Sequence, residues 1–301
     1  DGVYKIYNEN GFLIQSVHYK NGEIVDSTND FESDINIKED YDENGNLIFL
    51  GSFLNQKPIG VHRFFDENGS VIQSKTYNVY HELIAEGIVK LNGNKDGSWT
   101  YYYPDQKIEA KGFYQNGEKS GKWIFYFKNG KVEQTGSYIN GKLSGNWKWF
   151  YNNGELRKEE FYIYGLADGE SYEYSDSGKI IAKGNYVQGE KEGVWIYDIG
   201  DETETGKYVM GLKDGIWRRY YKSNGSIAFT GKFVQGSPDE KHTYYYPNGN
   251  VKEEQYYDTG QKIKSWAKYN VEGELILVVQ YRNNEIYKIN GVKMDFANND
   301  D

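Results

Sequence analysis

Histidines and carboxylates are the residues of this chain that could bind a metal or perform acid–base chemistry. A metal site needs two or three side chains that converge, and the four histidines show no short ligand spacing: His18, His62, His81 and His242. The segment DENG occurs at 42–45 and at 66–69, but neither copy leads to the bidentate glutamate that closes a calcium loop. We therefore expect no metal site and no cofactor, and we attribute both segments to turns.

Motifs for catalysis are missing as well. The sequence contains no Gly-x-Ser-x-Gly, no phosphate-binding P-loop and no His-Glu-x-x-His. Its cysteine count of 0 excludes a cysteine nucleophile, a thiolate metal site and a disulfide framework. No pair among the 45 Asp and Glu residues stands out as the two carboxylates of a glycosidase. The sequence predicts a protein that is not an enzyme.

Composition excludes several classes of partner. The formal net charge is −10 at pH 7, so the chain repels the phosphates of nucleic acids and the surface of anionic membranes. No run of about 20 apolar residues is present to span a bilayer. Aromatic residues make up 17% of the chain, and disordered chains are poor in such residues. We expect a folded protein that binds no nucleic acid and has no integral membrane segment.

A repeat of 24 residues organises the chain. The segment GKWIFYFKNGKVEQTGSYINGKLS, residues 121–144, is followed at once by GNWKWFYNNGELRKEEFYIYGLAD. With Gly121 as repeat position 1, further strong copies begin at Gly97, Gly145, Gly169, Gly193 and Gly215. Position 3 of these copies is Trp99, Trp123, Trp147, Ser171, Trp195 and Trp217. In weaker copies His62 and His242 hold this position, where we expect one ring to replace another.

Recurring Asn-Gly turns predict two β-strands and two turns in each copy. Asn-Gly favours tight hairpin turns, and it recurs at repeat positions 9–10 and 20–21. If positions 9 and 10 form a two-residue turn, position 8 faces 11, position 7 faces 12 and position 3 faces 16. The facing pairs are then Trp99–Gly112, Trp123–Gly136, Trp195–Gly206 and Trp217–Gly231. We expect each indole to lie over its facing glycine and to cover the open backbone there.

Two pairs depart from this pattern, Trp147 opposite Glu160 and Trp266 opposite Val279. Because side chains alternate between faces, positions 3, 5, 7, 12, 16 and 18 are expected to share one strongly aromatic face. The fold class predicted is all-β: an elongated, twisted, single-layer antiparallel meander of about eleven 24-residue repeats.

The repeats are expected to form one continuous array with three regions. Degenerate N-terminal repeats occupy 1–96 and contain two insertions, at 26–35 and roughly 78–87, the second holding a half-copy. Regular repeats occupy 97–239, and degenerate C-terminal repeats with a cap occupy 240–301.

The skeleton G-x-W-x-x-Y-x-x-x-G-x(5)-G-x-Y-x-x-G, carried best by residues 97–168 and 193–236, resembles the MORN-repeat variant of bacterial proteins, often labelled the YwqK-family antitoxin group. The resemblance implies a non-enzymatic β-hairpin repeat protein, and the antitoxin label implies neutralisation of a toxin by binding. YDENGNL and FDENGSV are similar to the YD repeats of bacterial surface toxins, but the Trp–Gly pairing speaks against that group. GSWTYYYPDQKIEAKG is a little similar to choline-binding repeats, which usually carry a Gly-Trp pair absent here.

The aromatic face is the candidate binding surface, because a single layer leaves part of it in water. We predict that it binds a protein partner in an antitoxin-like or immunity-like role; the alternative is a carbohydrate or cell-envelope module that stacks sugars on rings. The same rings could also serve only to hold the sheet together. The candidate contact residues are Trp99, Trp123, Phe125, Phe127, Trp147, Trp149, Tyr151, Trp195 and Trp217.

Association of copies through sheet edges is a third, purely architectural possibility. The chain begins at Asp1 without a signal-peptide pattern, so we expect a processed boundary there. Composition does not settle the compartment. We favour the periplasm or surface of a bacterium over its cytoplasm.

Overall fold

The computed structural model describes residues 2–7, 13–28 and 35–294, with side chains at 20–23 and 35–294. The chain divides into two compact units, residues 1–155 and residues 156–301. The His18 side chain, most of the insertion predicted at 26–35 and the tail from residue 295 lie outside the described residues. The region boundaries predicted at 96/97 and 239/240 stay predictions.

The first unit contains a three-stranded sheet and a longer meander. The three-stranded sheet consists of β1 (Gly2–Tyr7), β2 (Leu13–Lys20) and β3 (Glu23–Thr28). The meander consists of β4 (Ile35–Tyr41), β5 (Leu47–Leu54), β6 (Lys57–Phe65), β7 (Val71–Tyr77), β8 (Leu83–Val89), β9 (Lys95–Tyr102), β10 (Ile108–Gln115), β11 (Glu118–Tyr126), β12 (Val132–Ile139) and β13 (Lys142–Phe150).

The second unit continues the same pattern. Its strands are β14 (Leu156–Ile163), β15 (Leu166–Tyr174), β16 (Ile180–Val187), β17 (Glu190–Ile199), β18 (Glu202–Val209), β19 (Leu212–Tyr221), β20 (Ile227–Val234), β21 (Ser237–Tyr245), β22 (Val251–Asp258), β23 (Gln261–Lys262), β24 (Ser265–Tyr269), β25 (Leu275–Arg282), β26 (Glu285–Ile289) and β27 (Val292–Lys293).

Strands that follow one another in sequence pair antiparallel within each unit. This holds from β4 to β13 in the first unit. It holds from β14 to β27 in the second, where β22 pairs with both β23 and β24. The described residues contain no helix. The predicted fold class, an all-β single-layer antiparallel meander of hairpin repeats, is confirmed.

The two turns differ in type in most repeats; the copy at Gly193 is an exception, since Ile199 pairs with Glu202 across a two-residue turn. At the second turn both residues have positive φ, as in Asn140 (49°) and Gly141 (71°), which is the two-residue turn expected from Asn-Gly. At the first turn the glycine alone has positive φ, as in Gly130 (83°), whose N–H donates to the carbonyl of Phe127 at 2.8 Å. This turn is a three-residue loop with a bulge at its glycine. The expectation that position 7 faces position 12 is therefore wrong: Tyr126, at position 6, pairs with Val132.

The pairing predicted between positions 3 and 16 is nevertheless confirmed. In most copies the bulge offsets the extra loop residue, and in the copy at Gly193 the turn has two residues and no bulge is present. The observed pairs include Trp99–Gly112, Trp123–Gly136, Trp195–Gly206, Trp217–Gly231 and Trp266–Val279. The pairing predicted for Trp147 and Glu160 stays a prediction.

A second bulge precedes Trp99, Trp123, Trp147, Trp195 and Trp217 and explains the glycine at position 1 of their copies. Between β10 and β11, Lys111 pairs with Ile124 and Phe113 pairs with Ser120, so three residues of β11 face the single Gly112. Gly121 lies in this bulge with φ 62°, a conformation that residues with a Cβ rarely adopt. Because of this bulge, the ring of Trp123, two residues after Gly121, is directed toward the preceding strand, β10.

The aromatic face changes sides between β7 and β8. His62 pairs with Lys75, and Lys75 pairs with Glu86, so all three point to one face. The ring of Trp99 covers Gly87, which follows Glu86 and points the other way. His62 and Trp99 therefore lie on opposite faces, although both hold repeat position 3. The half-copy predicted at about 78–87 accounts for this, because it adds β8 out of phase with the repeat.

Candidate functional site

Five of the position-3 tryptophans cover a glycine of the preceding hairpin. The Trp123 ring lies over Gly112 and the Trp147 ring over Gly136, so close that a Cβ added to either glycine would lie within 3.0 Å of ring atoms. The same relation holds for Trp99 over Gly87, Trp195 over Gly184 and Trp217 over Gly206. The expectation that the indole covers the glycine facing it in its own hairpin is corrected here: the bulge before the tryptophan directs the ring backward. Each ring therefore links one hairpin to the one before it.

A hydrogen bond completes most of these links. Trp123 Nε1 donates to the carbonyl of Phe113 at 3.1 Å, and Trp147 Nε1 donates to the carbonyl of Ser137 at 3.0 Å. Trp195 and Trp217 make the same bond to the residue after the glycine that they cover. The five rings of Trp99, Trp123, Trp147, Trp195 and Trp217 are 0–2% exposed. In each unit they form the buried interior of a sheet that has one layer.

One link is polar instead of aromatic. Glu160 stands where other repeats have the covered glycine, and Ser171 stands where the next repeat has its tryptophan. The two residues pair directly, and Ser171 Oγ donates to Glu160 Oε1 at 3.0 Å. Tyr162 Oη donates to Glu160 Oε2 at 2.7 Å, and Lys158 Nζ lies 2.7 Å from Glu160 Oε1. The larger residue, Glu160, thus stands at the glycine position and the smaller residue, Ser171, at the tryptophan position. Both oxygens of the buried carboxylate accept hydrogen bonds, which offsets the cost of its burial.

Histidine forms a smaller version of the aromatic link. His62 covers Gly51 and donates from Nε2 to the carbonyl of Ser52 at 2.8 Å; His242 covers Gly231 and donates to the carbonyl of Lys232 at 2.7 Å. Burial lowers the pKa of both imidazoles, which favours the neutral form.

A phenylalanine compensates for the smaller ring. Two residues before the covered glycine, the histidine copies have Phe49 and Phe229, whereas three tryptophan copies have Ala85, Ala110 and Ala182. The Phe229 and His242 rings meet edge to face, with centroids 5.5 Å apart. This pairing of ring sizes was visible in the sequence, as a phenylalanine at repeat position 14 before each histidine.

Tyrosines at position 18 connect successive tryptophans. The Tyr138 ring lies edge-on between Trp123 (6.0 Å between centroids) and Trp147 (5.0 Å). Tyr208 does the same between Trp195 (6.1 Å) and Trp217 (5.0 Å). Edge-to-face contacts of this kind add stability beyond burial alone. We call the face that carries these rings in each unit the ring face.

Lysines lie over the ring face, four residues before the tryptophans. Lys119 Nζ is 4.4 Å from the Trp123 ring centroid, and Lys213 Nζ is 3.8 Å from that of Trp217. The same spacing occurs in the pairs Lys95–Trp99, Lys191–Trp195 and Lys262–Trp266. These are favourable cation–π distances, and the ammonium groups shield the rings from water. Sequence reasoning missed these lysines, although the spacing Lys-x-x-x-Trp was available as a signal.

Burial changes the ionisation of the groups around these lysines. It lowers the pKa of Lys95 and Lys119, and the Lys119 charge lowers that of Lys95 further. Lys95 Nζ donates to Tyr101 Oη at 2.8 Å, and that oxygen is 2.8 Å from Tyr114 Oη. Burial and the hydroxyl of Tyr114 raise the pKa of Tyr101.

The predicted contact residues fall into two groups. The five position-3 tryptophans are buried, whereas Phe125, Phe127, Trp149 and Tyr151 are half-buried. Phe125 stacks on Trp123 with centroids 5.7 Å apart, and Trp149 lies 5.9 Å from Trp147. Whether any of the nine contacts a partner stays a prediction.

A cavity of about 270 Å³ opens on the ring face of the first unit. Ala110, which is 4% exposed, lies at its floor and pairs with Tyr101 on one side and Phe125 on the other. The residues that line it are Tyr101, Glu109, Ala110, Tyr114, Lys119, Trp123 and Phe125. Tyr101, Ala110 and Lys119 were not among the predicted contacts.

The described part of the chain contains neither a metal-binding cluster nor a membrane-spanning helix. No group of three His, Asp or Glu side chains there is arranged to hold a metal ion. No helix there has the length and hydrophobicity needed to span a bilayer.

The fold and the aromatic links together define a class of β-hairpin repeat protein. The model of the MORN repeat variant matches residues 1–21, 58–78, 95–116, 119–140, 143–164, 167–188 and 241–261, which cover half of the chain. The chain therefore belongs to the MORN repeat variant family, as the sequence resemblance implied. The antitoxin grouping within that resemblance has no such support.

No curated protein matches the chain. Among solved structures, the one described as "Crystal Structure of TcdB2-TccC3 without hypervariable C-terminal region" is 14% identical, with 93% of this chain and 16% of that chain covered. Its TM-score of 0.13 is too low for the likeness to carry an argument.

Proposed function

We propose that this MORN repeat variant protein is a non-enzymatic scaffold that binds a protein partner through the ring face of its first unit. The contact surface is the outer row of that face, the half-buried rings Tyr101, Phe125 and Trp149. Each lies beside a buried tryptophan, at centroid distances of 5.7, 5.7 and 5.9 Å. This two-row arrangement is the observation that carries the proposal.

The buried row supports the outer row instead of touching the partner. Aromatic rings dominate the energetics of protein interfaces, and rings already held in position lose little conformational entropy on binding. Exposed apolar surface on a soluble protein commonly marks an interaction site. The outer row combines partial exposure with a fixed position, which favours recognition of another protein.

Affinity capture with outer-row variants tests this function. We expect the wild-type chain to retain a specific protein from an extract of its source cells, and Phe125→Ala with Trp149→Ala to lose it. Ile124→Ala is the matched control, because Ile124 is half-buried on the same strand and points to the opposite face. Circular dichroism checks that all variants stay β-rich. Retention of the same protein by the outer-row variant would contradict the proposal.

The antitoxin-like role is the more specific form of this proposal. It predicts that the captured partner is a toxin, and that co-expression of the chain restores growth of cells producing it. The outer-row variant should not restore growth. A captured partner without toxicity would leave a scaffold and remove the antitoxin role.

The carbohydrate-binding alternative makes a different prediction. Sugar stacking needs open ring faces, but lysines cover the Trp99 and Trp123 rings at 4.5 and 4.4 Å. Retention on purified peptidoglycan or on a glycan array, with no protein captured, would replace the proposal.

A further inference from the structure

The charges on the ring face differ between the two units. In the first unit, Lys95 and Lys119 point to this face, and neither forms an ion pair among the described residues. Their neighbours are rings and hydroxyl groups: Lys119 Nζ is 5.1 Å from the centroids of both Phe125 and Tyr138. Two ammonium groups that form no ion pair in the described part of the chain are therefore held on an aromatic surface of a protein whose formal net charge is −10.

The second unit supplies carboxylates at the equivalent places. Lys213 Nζ lies 3.0 Å from Glu204 Oε2, and the charge of Glu173 acts on Lys191 in the direction that raises its pKa. Glu204 lies two residues before the glycine that Trp217 covers, and the equivalent residues beside Lys95 and Lys119 are Ala85 and Ala110. Glu173 holds position 5, where the first unit has rings. The described residues of the first unit thus lack the carboxylates that lie near the equivalent lysines, Lys191 and Lys213, of the second unit.

The cavity above Ala110 has the dimensions of a slot for one aromatic ring. Tyr101 and Phe125 flank Ala110 from the strands on either side, so they are about 10 Å apart. A ring placed between them would lie about 5 Å from each, a favourable distance for aromatic pairs. The next such slot, between Phe125 and Trp149, is occupied by Gln134. The volume of about 270 Å³ is enough for one aromatic side chain.

We propose that this slot binds an acidic aromatic segment of a protein partner: one aromatic side chain lies between Tyr101 and Phe125, and neighbouring carboxylates pair with Lys95 and Lys119. Glu109 is exposed and is the carboxylate that lines the cavity, so the partner's acidic groups lie at the end of the slot where Lys119 is found. The inference rests on the proposed function and names the chemistry of the partner.

A labelled peptide probe tests the slot directly. The probe is fluorescein-labelled Gly-Asp-Glu-Phe-Glu-Asp-Gly, and its binding to the full chain is measured by fluorescence polarisation. Replacing its Phe by Ala, or its acidic residues by Lys, should weaken binding at least about tenfold, since each change removes one of the two contacts.

Variants of the chain locate the binding site. Ala110→Gln fills the slot with the residue that the next repeat already carries at this position, so the fold is expected to accept it. Ala110→Gln and Lys119→Gln should each weaken probe binding about tenfold or more. The matched controls in the second unit, Ala182→Gln and Lys191→Gln, should change it less than about twofold.

The outcomes separate this inference from the function on which it rests. No binding of the acidic probe, equal binding of the lysine version, or equal loss with Ala182→Gln would overturn the slot. Competition by phenylacetate at the concentration of the probe would overturn the assignment to a polypeptide. If the probe fails while Phe125→Ala with Trp149→Ala still abolishes partner capture, the slot is wrong and the proposed function stands. If the probe binds and capture is unaffected by that variant, the proposed function fails.

Discussion

Trp217 is 0% exposed although the sheet that carries it has a single layer. Three groups enclose its ring: the backbone at Gly206 beneath, Tyr208 edge-on at 5.0 Å, and Lys213 above at 3.8 Å. Burying the 150–250 Å² of a large aromatic side chain is worth roughly 4–6 kcal/mol at 25 cal/mol per Å². A few residues per repeat thus supply the burial that other folds obtain from two packed layers.

The histidine links make stability depend on pH. Burial lowers the pKa of His242 in the folded chain below its ordinary value of 6.5. At a pH between the folded and the unfolded pKa, the unfolded chain therefore binds more protons than the folded chain. The contribution of His242 is therefore complete above 6.5 and is lost as the pH falls toward the folded pKa.

We predict that Phe229→Ala with His242→Trp, which restores the commoner combination, reduces this loss. Urea unfolding at about pH 7.5 and about pH 5.5 measures it, as the fall in the free energy of unfolding between the two conditions. An equal fall in variant and wild type would show that His242 is not responsible.

At the scale of elements, the unit of construction is a link between two hairpins. The register of position 3 with position 16 followed from turn chemistry and was confirmed, for example by Trp195–Gly206. The ring contact did not follow, because it depends on the bulge that Gly193 opens with φ 72°. A glycine at position 1 does not by itself indicate a bulge, so the sequence did not predict that the Trp195 ring covers Gly184.

The polar link between Glu160 and Ser171 offers a test at this scale. Ser171→Trp alone should be destabilising by about 1–3 kcal/mol, because the new ring meets the Glu160 side chain instead of a glycine. Glu160→Gly alone should also destabilise, because it leaves the bonds of Ser171 and Tyr162 unmade. The double variant recreates the regular link and should recover most of the loss.

Chemical denaturation of the four chains gives the coupling energy between the two changes. Simple addition of the two losses would show that these positions do not form the link described.

The candidate site was predictable only in part. The rings Phe125 and Trp149 were found from their place in the repeat, but Ala110 was not, since a small residue gives no signal until its neighbours are known. Lys119 was passed over because a lysine on a strand usually points to water. His62 and Trp99 lie on opposite faces because of the register of one added strand, β8. The interruption of the repeat at about 78–87 does not determine that register.

At the scale of the whole molecule, each strand in a unit contacts mainly the strands before and after it. Stability is then a sum of local links, as in other repeat proteins, and damage to one link stays local. The chain differs in this respect from proteins with a single core, which unfold cooperatively as a whole.

We predict that Trp217→Ala accelerates amide hydrogen exchange in β18–β20 and leaves β9–β12 in the first unit at wild-type protection. Mass spectrometry of exchanged peptides resolves these segments. Uniform acceleration along the chain would indicate one cooperative core and contradict the repeat-by-repeat account.

A double-mutant cycle on one link, Gly206 and Trp217, tests most directly whether the glycine is required because the indole covers it. In the wild-type background Gly206→Ala should cost about 1–3 kcal/mol, measured by hydrogen exchange in β18, because its Cβ would lie within 3.0 Å of the indole. In the Trp217→Ala background, where no ring covers residue 206, the same change should cost less than about 0.5 kcal/mol. An equal cost in both backgrounds would contradict the account, since the glycine would then be required for some reason other than the ring above it.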